Sequence, residues 1–115
     1  MDIESREIEG VTILLPRGRM TIKGGDTIFR AGLTEALNQG ATKIIINFES
    51  LTFIDSSGVG ELVSTYTKTS NKGIGLKLCN LPEQLLTVLE TTQLITIFDV
   101  YKSEADALQA FSPTP

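Results

Sequence analysis

A chain of 115 residues, 41% apolar and 21% charged, has room for one sizeable core. Its net charge of −4, without any basic run, argues against a phosphate-backbone binder, and no apolar run nears the roughly 20 residues of a membrane span. With no histidine and a single cysteine, the chain lacks the commonest general base and metal ligand, any Ser-His-Asp or Cys-His pair, and any internal disulfide.

The acidic, polar start "MDIESREIE" does not read as a secretory signal, so a cytoplasmic location is expected. The stretch "IESREIEGVTILLPRGR" reads as two strands around a Glu9-Gly10 turn, with Pro16 at a strand end or edge. The glycine loop "MTIKGGD" leads to a helix capped by Asp26, which carries Phe29, Leu33, Ala36 and Leu37 on one face and is stopped at Gly40. "KIIINF" is a central strand, and the apolar run "LTFI" feeds a junction, "DSSG", from which a helix runs over 58–70.

"LKLCN" follows as a strand, with Cys79 as a buried structural thiol. "NLPEQLLTVLE" carries helix signals: Asn80 and Glu83 at capping-box spacing, and Pro82 in the first turn. "ITIFDVY" reads as a last strand, and "SEADALQAF" as a last helix with Ser103 and Asp106 spaced as a box. The order ββαβαβαβα describes one α/β domain over 1–111 with a largely parallel sheet made mixed by its opening hairpin; 112–115 form a frayed tail.

The junction carries the functional signal. In such sheets functional groups collect beyond the C-terminal ends of strands, and a helix N-terminus favours an anion. Asp55, Ser56 or Ser57 suffices as an N-cap, so capping accounts for one of the three. It does not account for Gly58 and Gly60, each of which costs about 1 kcal/mol against Ala inside a helix. Glycines there admit a close approach to the backbone by a partner loop, a nucleotide or a phosphate on the chain itself. A phosphate loop would need Lys-Ser/Thr after the second glycine, whereas Gly60 is followed by Glu61. The apolar stripe Val59, Leu62, Val63 and Tyr66 is expected to face the core.

"LTFIDSSGVGELV", with the Gly-x-Leu-like element "GRM" and the ending "TTQLITIFDVYKSEADAL", resembles the STAS domain of bacterial anti-sigma factor antagonists over nearly the whole chain. The resemblance implies a four- to five-stranded mixed sheet with helices mainly on one face. It also implies a binding module, not an enzyme. The partner is an anti-sigma factor serine kinase with a histidine-kinase-like ATPase fold, and its capture frees a sigma factor.

By the same resemblance the kinase phosphorylates Ser57, which ends binding, and a phosphatase restores it. Ser56 matches the first serine and is the expected capping neighbour. Asp55, Ser56, Gly58, Gly60, Glu61 and Thr21 form the partner surface. Thr21 and Arg19 stand where phosphorylatable members often carry acidic residues, which makes Thr21 a neutral replacement or a second acceptor. The alternative is a non-switching STAS subunit of a transporter or signalling scaffold. Neither needs a metal, a cofactor, nucleic acid or membrane insertion, and the chain is expected to be a monomer or weak dimer.

Overall fold

The computed structural model describes residues 1–112; the expected frayed tail, beyond Ser112, lies outside the described residues. Strands β1 (Asp2–Ile8) and β2 (Val11–Met20) form the opening hairpin, turning at Glu9 and Gly10, both with positive φ. Helix α1 (Gly25–Asn38), strands β3 (Lys43–Asn47) and β4 (Leu51–Ile54) and helix α2 (Ser56–Asn71) follow. Strand β5 (Gly75–Cys79), helix α3 (Glu83–Thr91), strand β6 (Val100–Tyr101) and helix α4 (Glu104–Phe111) complete the chain.

The sheet runs β1-β2-β3-β5-β6, antiparallel at β1/β2 and parallel elsewhere. Its sixth strand, β4, pairs with the far end of β2. The mixed α/β sheet with helices mainly on one face is as expected from the sequence. The added strand is "LTFI", which is a ladder partner of β2 and not merely an approach to α2.

Strand alternation divides the core between the two faces. Leu14, Ile44, Ile46 and Leu78 pack with Phe29 and Leu33 of α1, Leu62 of α2, and Leu85 and Leu89 of α3. Ile13, Leu15, Ile45 and Cys79 point to the other face, which Ala107, Leu108 and Phe111 of α4 cover.

Four local expectations are corrected. Pro16 is neither at a strand end nor on an edge. It lies inside β2, in the interval between the pairing of Thr12–Leu14 with β3 and of Gly18–Met20 with β4. Asp26 does not cap α1; the cap is Gly24 at φ 119, two residues earlier, and Asp26 falls in the first turn. Asn80 does not cap α3, because it takes a left-handed φ of 54 and donates its amide to Asn47 Oδ1 at 3.1 Å. "ITIFDVY" is strand only at Val100–Tyr101: Leu94–Thr96 form a 3-10 turn, and Phe98 packs edge-on against Tyr66, ring centroids 5.8 Å apart. Tertiary packing overrides the β-propensity of that apolar run. Ser103, by contrast, caps α4 as its spacing implies, accepting the Asp106 N–H at 3.1 Å.

Helix α2 is seated by Leu62, which is fully buried, with Val59 and Tyr66 half-buried against the same cluster. The other buried positions are Gly58, Thr65 and Thr69; the two threonine hydroxyls donate to the carbonyls of Glu61 and Thr65, each at 2.8 Å. Truncation of Leu62 to Ala is expected to lower the unfolding free energy in urea by about 2–5 kcal/mol. A loss well under 1 kcal/mol would contradict this seating of α2.

Candidate functional site

Strands β2 and β4 end side by side, with Met20 opposite Ile54. Each runs directly toward a helix, so the β2–α1 loop and the start of α2 lie together. Asp55 joins them. It is extended (φ −106, ψ −173) and caps α2 by accepting the Gly58 N–H on Oδ1 at 3.0 Å. Its other oxygen, Oδ2, accepts the Ile22 N–H of the neighbouring loop at 3.1 Å. Its own N–H donates to Met20 O at 3.3 Å.

These backbone donors, Ile22 first and Gly58 second, hold the carboxyl below its ordinary pKa of 3.8, because they bond the ionised form. Asp55, not Ser56, is therefore the cap. Ser56 already has helical backbone as the first residue of α2, while Asp55 sits one step outside with a side chain that reaches the third helical amide.

The two glycines have different causes. A Cβ on Gly58 would stand 2.4 Å from Met20 O and 2.5 Å from Ile54 Cγ1, so the start of α2 presses directly on the ends of β2 and β4. Gly60 meets nothing within 4 Å and is exposed. Gly58 thus serves the packing, and Gly60 keeps the outer face of the first turns bare. The first turn of α1 is pressed onto the same strand end, since a Cβ on Gly25 would lie 2.1 Å from Arg19 O.

Ser56 is exposed and Ser57 half-buried at the surface of this junction. Thr21 keeps 9% of its surface. Its hydroxyl accepts the Lys23 N–H at 3.3 Å and its carbonyl the Asp26 N–H at 3.0 Å, so it holds the loop from beneath. Glu61 is engaged by Arg30 of α1, at 3.0 Å from Nε. The expected site residues therefore converge, with Ser56, Ser57 and Gly60 facing outward and Thr21, Asp55 and Gly58 supporting them.

Two participants were not legible beforehand. Arg30 and Gln84 act across 30 residues or more of chain. Gln84 of α3 clamps the end of β4, accepting the Ile54 N–H at 3.1 Å and donating to Ile54 O at 2.9 Å. Ile22 stands 72% exposed on the β2–α1 loop. Arg19, expected in an acidic position, stacks its guanidinium 4.5 Å above the Phe53 ring. A cleft of about 460 Å³ opens elsewhere and is lined by Glu49, Asn80, Leu86 and Val100 among others, none of them junction residues. No cluster of metal-ligating side chains occurs among the described residues.

Fold and junction together define an α/β module that offers a hydroxyl-bearing strand-to-helix corner at its surface, with no membrane-spanning helix among the described residues. Residues 2–107 match the STAS domain family, and the chain belongs to that family. It is 27% identical over 109 residues to an anti-sigma F factor antagonist of Paenibacillus polymyxa, covering 94% of this chain and 92% of the relative. To the anti-sigma-B factor antagonist of Bacillus subtilis (strain 168) it is 30% identical over 82 residues, covering 71% and 74%. An anti-sigma factor antagonist from Mycobacterium paratuberculosis shares the fold, with a TM-score of 0.83 at 20% identity over 94% and 91% of the two chains.

Two predictions follow from this geometry. Substituting Gly58 by Ala should destabilise by about 1–3 kcal/mol through overpacking, whereas Gly60→Ala should stabilise by about 0.5–1 kcal/mol. Denaturant midpoints of the two variants read the opposite signs. For Asp55, whose folded pKa is depressed, stabilisation by the ionised carboxyl is full above pH 3.8 and is lost as pH falls through the folded value. The thermal midpoint of the parent should therefore exceed that of Asp55→Asn by a constant amount above about pH 5, and the gap should shrink toward about pH 3.

Proposed function

We propose that this chain is an anti-sigma factor antagonist, a cytoplasmic phospho-switched binding module and not an enzyme. Unphosphorylated, it binds an anti-sigma factor that is itself a serine kinase with a histidine-kinase-like ATPase fold, and so frees a sigma factor. The kinase passes the γ-phosphoryl group of ATP to Ser57 Oγ, ADP leaves, and the complex parts. A phosphatase restores the hydroxyl.

The observation that supports this most is the place of Ser57. It is the second residue of α2, inside the first turn that Asp55 caps. A phosphoryl group adds about −1.5 to −2 charges. The N-terminal amides of α2 favour a negative group there, so the fold tolerates it. The Asp55 carboxylate, which also faces the Ser57 N–H, makes the modified corner strongly negative toward anything docked on it. Glu61 adds less to this field, being matched by Arg30. The names of the Paenibacillus and Bacillus relatives support the same partner class.

Ser57→Asp should weaken binding to the cognate kinase about 5- to 150-fold, as expected for roughly 1–3 kcal/mol of interfacial repulsion. Its thermal midpoint should stay near that of the parent. Ser57→Ala should bind and take up no phosphate. Phosphopeptide mass spectrometry after incubation with kinase and ATP reads the acceptor directly. Phosphate on Ser56 or Thr21 but not Ser57 would reassign the switch. No phosphate anywhere, with undiminished binding of Ser57→Asp, would favour a non-switching STAS subunit.

A further inference from the structure

The geometry points to Ile22 as the apolar anchor by which this chain docks its protein partner, inserted into an apolar pocket of that partner with carboxylates at the rim. This rests on the reading above, in which the partner is an anti-sigma factor kinase; it names a contact that the Ser57 switch does not require.

Large apolar side chains exposed among the described residues are Ile22, at 72%, and Ile28, at 39%, both in the segment that leaves β2. A lone exposed isoleucine is ordinary on a protein surface. This one is held in place. Its own N–H is bound by Asp55 Oδ2 at 3.1 Å, that of Lys23 by Thr21 Oγ1 at 3.3 Å, and that of Asp26 by Thr21 O at 3.0 Å. Its preceding neighbours Met20 and Thr21 take the buried positions, at 0% and 9% exposure.

Ile22 is thus turned outward on a loop whose backbone is hydrogen-bonded on both sides of it. An anchor presented in this way has little backbone freedom left to lose on docking, which favours affinity. The same carboxylate that fixes Ile22 caps the helix bearing Ser57, so the apolar contact and the phosphoacceptor belong to one rigid corner. Lys23, the next residue, is exposed and makes no ion pair among the described residues. Its charge selects for carboxylates around the pocket.

The full chain is titrated by calorimetry and biolayer interferometry against each purified anti-sigma factor kinase of the source organism. Ile22→Ser is expected to bind about 30-fold more weakly, the loss of a buried anchor, with an unchanged thermal midpoint. Ile22→Leu should stay within about 3-fold of the parent. Lys23→Glu should slow association, most at low salt. Binding of Ile22→Ser within about 3-fold of the parent, in the same assay in which Ser57→Asp loses affinity, overturns the anchor and leaves the antagonist reading standing. Failure of the parent to bind any of the kinases overturns the antagonist reading and the anchor with it.

Discussion

The constraint on which the site depends is the close approach of two helix starts to the end of one strand. Carbonyls at Arg19 and Met20 leave no room for a Cβ at residue 25 or 58. Both helices can therefore leave the sheet at the same corner, and their loops come within reach of a single side chain. Asp55 uses one oxygen for each loop and its amide for β2. Since it bonds two backbone donors, the ionised form is the one that fits, and the corner is stiff where most loops are not.

That stiffness separates scaffold from signal. Gly58, Thr21 and Asp55 hold the corner from within, while Ser56, Ser57, Gly60 and Ile22 are offered to the outside. A charge placed on Ser57 meets a helix N-terminus that accepts it and a neighbouring carboxylate that is already committed to the backbone. The fold has little reason to move, and the electrostatic change is delivered outward. Arg30, by pairing with Glu61, ties the outer sides of α1 and α2 together just beyond the same corner.

The opposite face of the sheet is held by different means. Helix α4 alone covers it, and polar contacts fasten α4 to the strands. Glu104 accepts from Arg6 at 2.9 Å and from Asn47 at 3.0 Å, and Asn47 in turn accepts from Asn80 at 3.1 Å. The Lys77 ammonium lies 4.6 Å above the Phe111 ring and 2.5 Å from Asp99. Beneath α4, burial pushes the Cys79 thiol up to about 12, which leaves it protonated and unreactive. These contacts account for the buried polar groups there and stand apart from the junction chemistry.

Periodicity and punctuation in the chain were enough to place the helices, the hairpin, the central strand "KIIINF" and the "DSSG" corner, because those signals are local. Motif resemblance added the STAS family and with it a sheet covered mainly on one face. Where local rules compete with packing they misplaced detail. Asp26 and Asn80 look like caps, yet a left-handed Gly24 and the pull of Asn47 moved the helix starts or took the side chain elsewhere. Thr65 and Thr69 look polar, yet their hydroxyls bond back to their own helix and they line the core. The two glycines look alike in "GVG". Only the positions of Met20 and Ile54, more than 30 residues and four residues away in the chain, make Gly58 a packing necessity and leave Gly60 free. The Asp55–Ile22, Arg30–Glu61 and Gln84–Ile54 contacts are likewise products of the fold, since hydrogen bonds between residues about 30 positions apart leave no periodic trace in a single sequence.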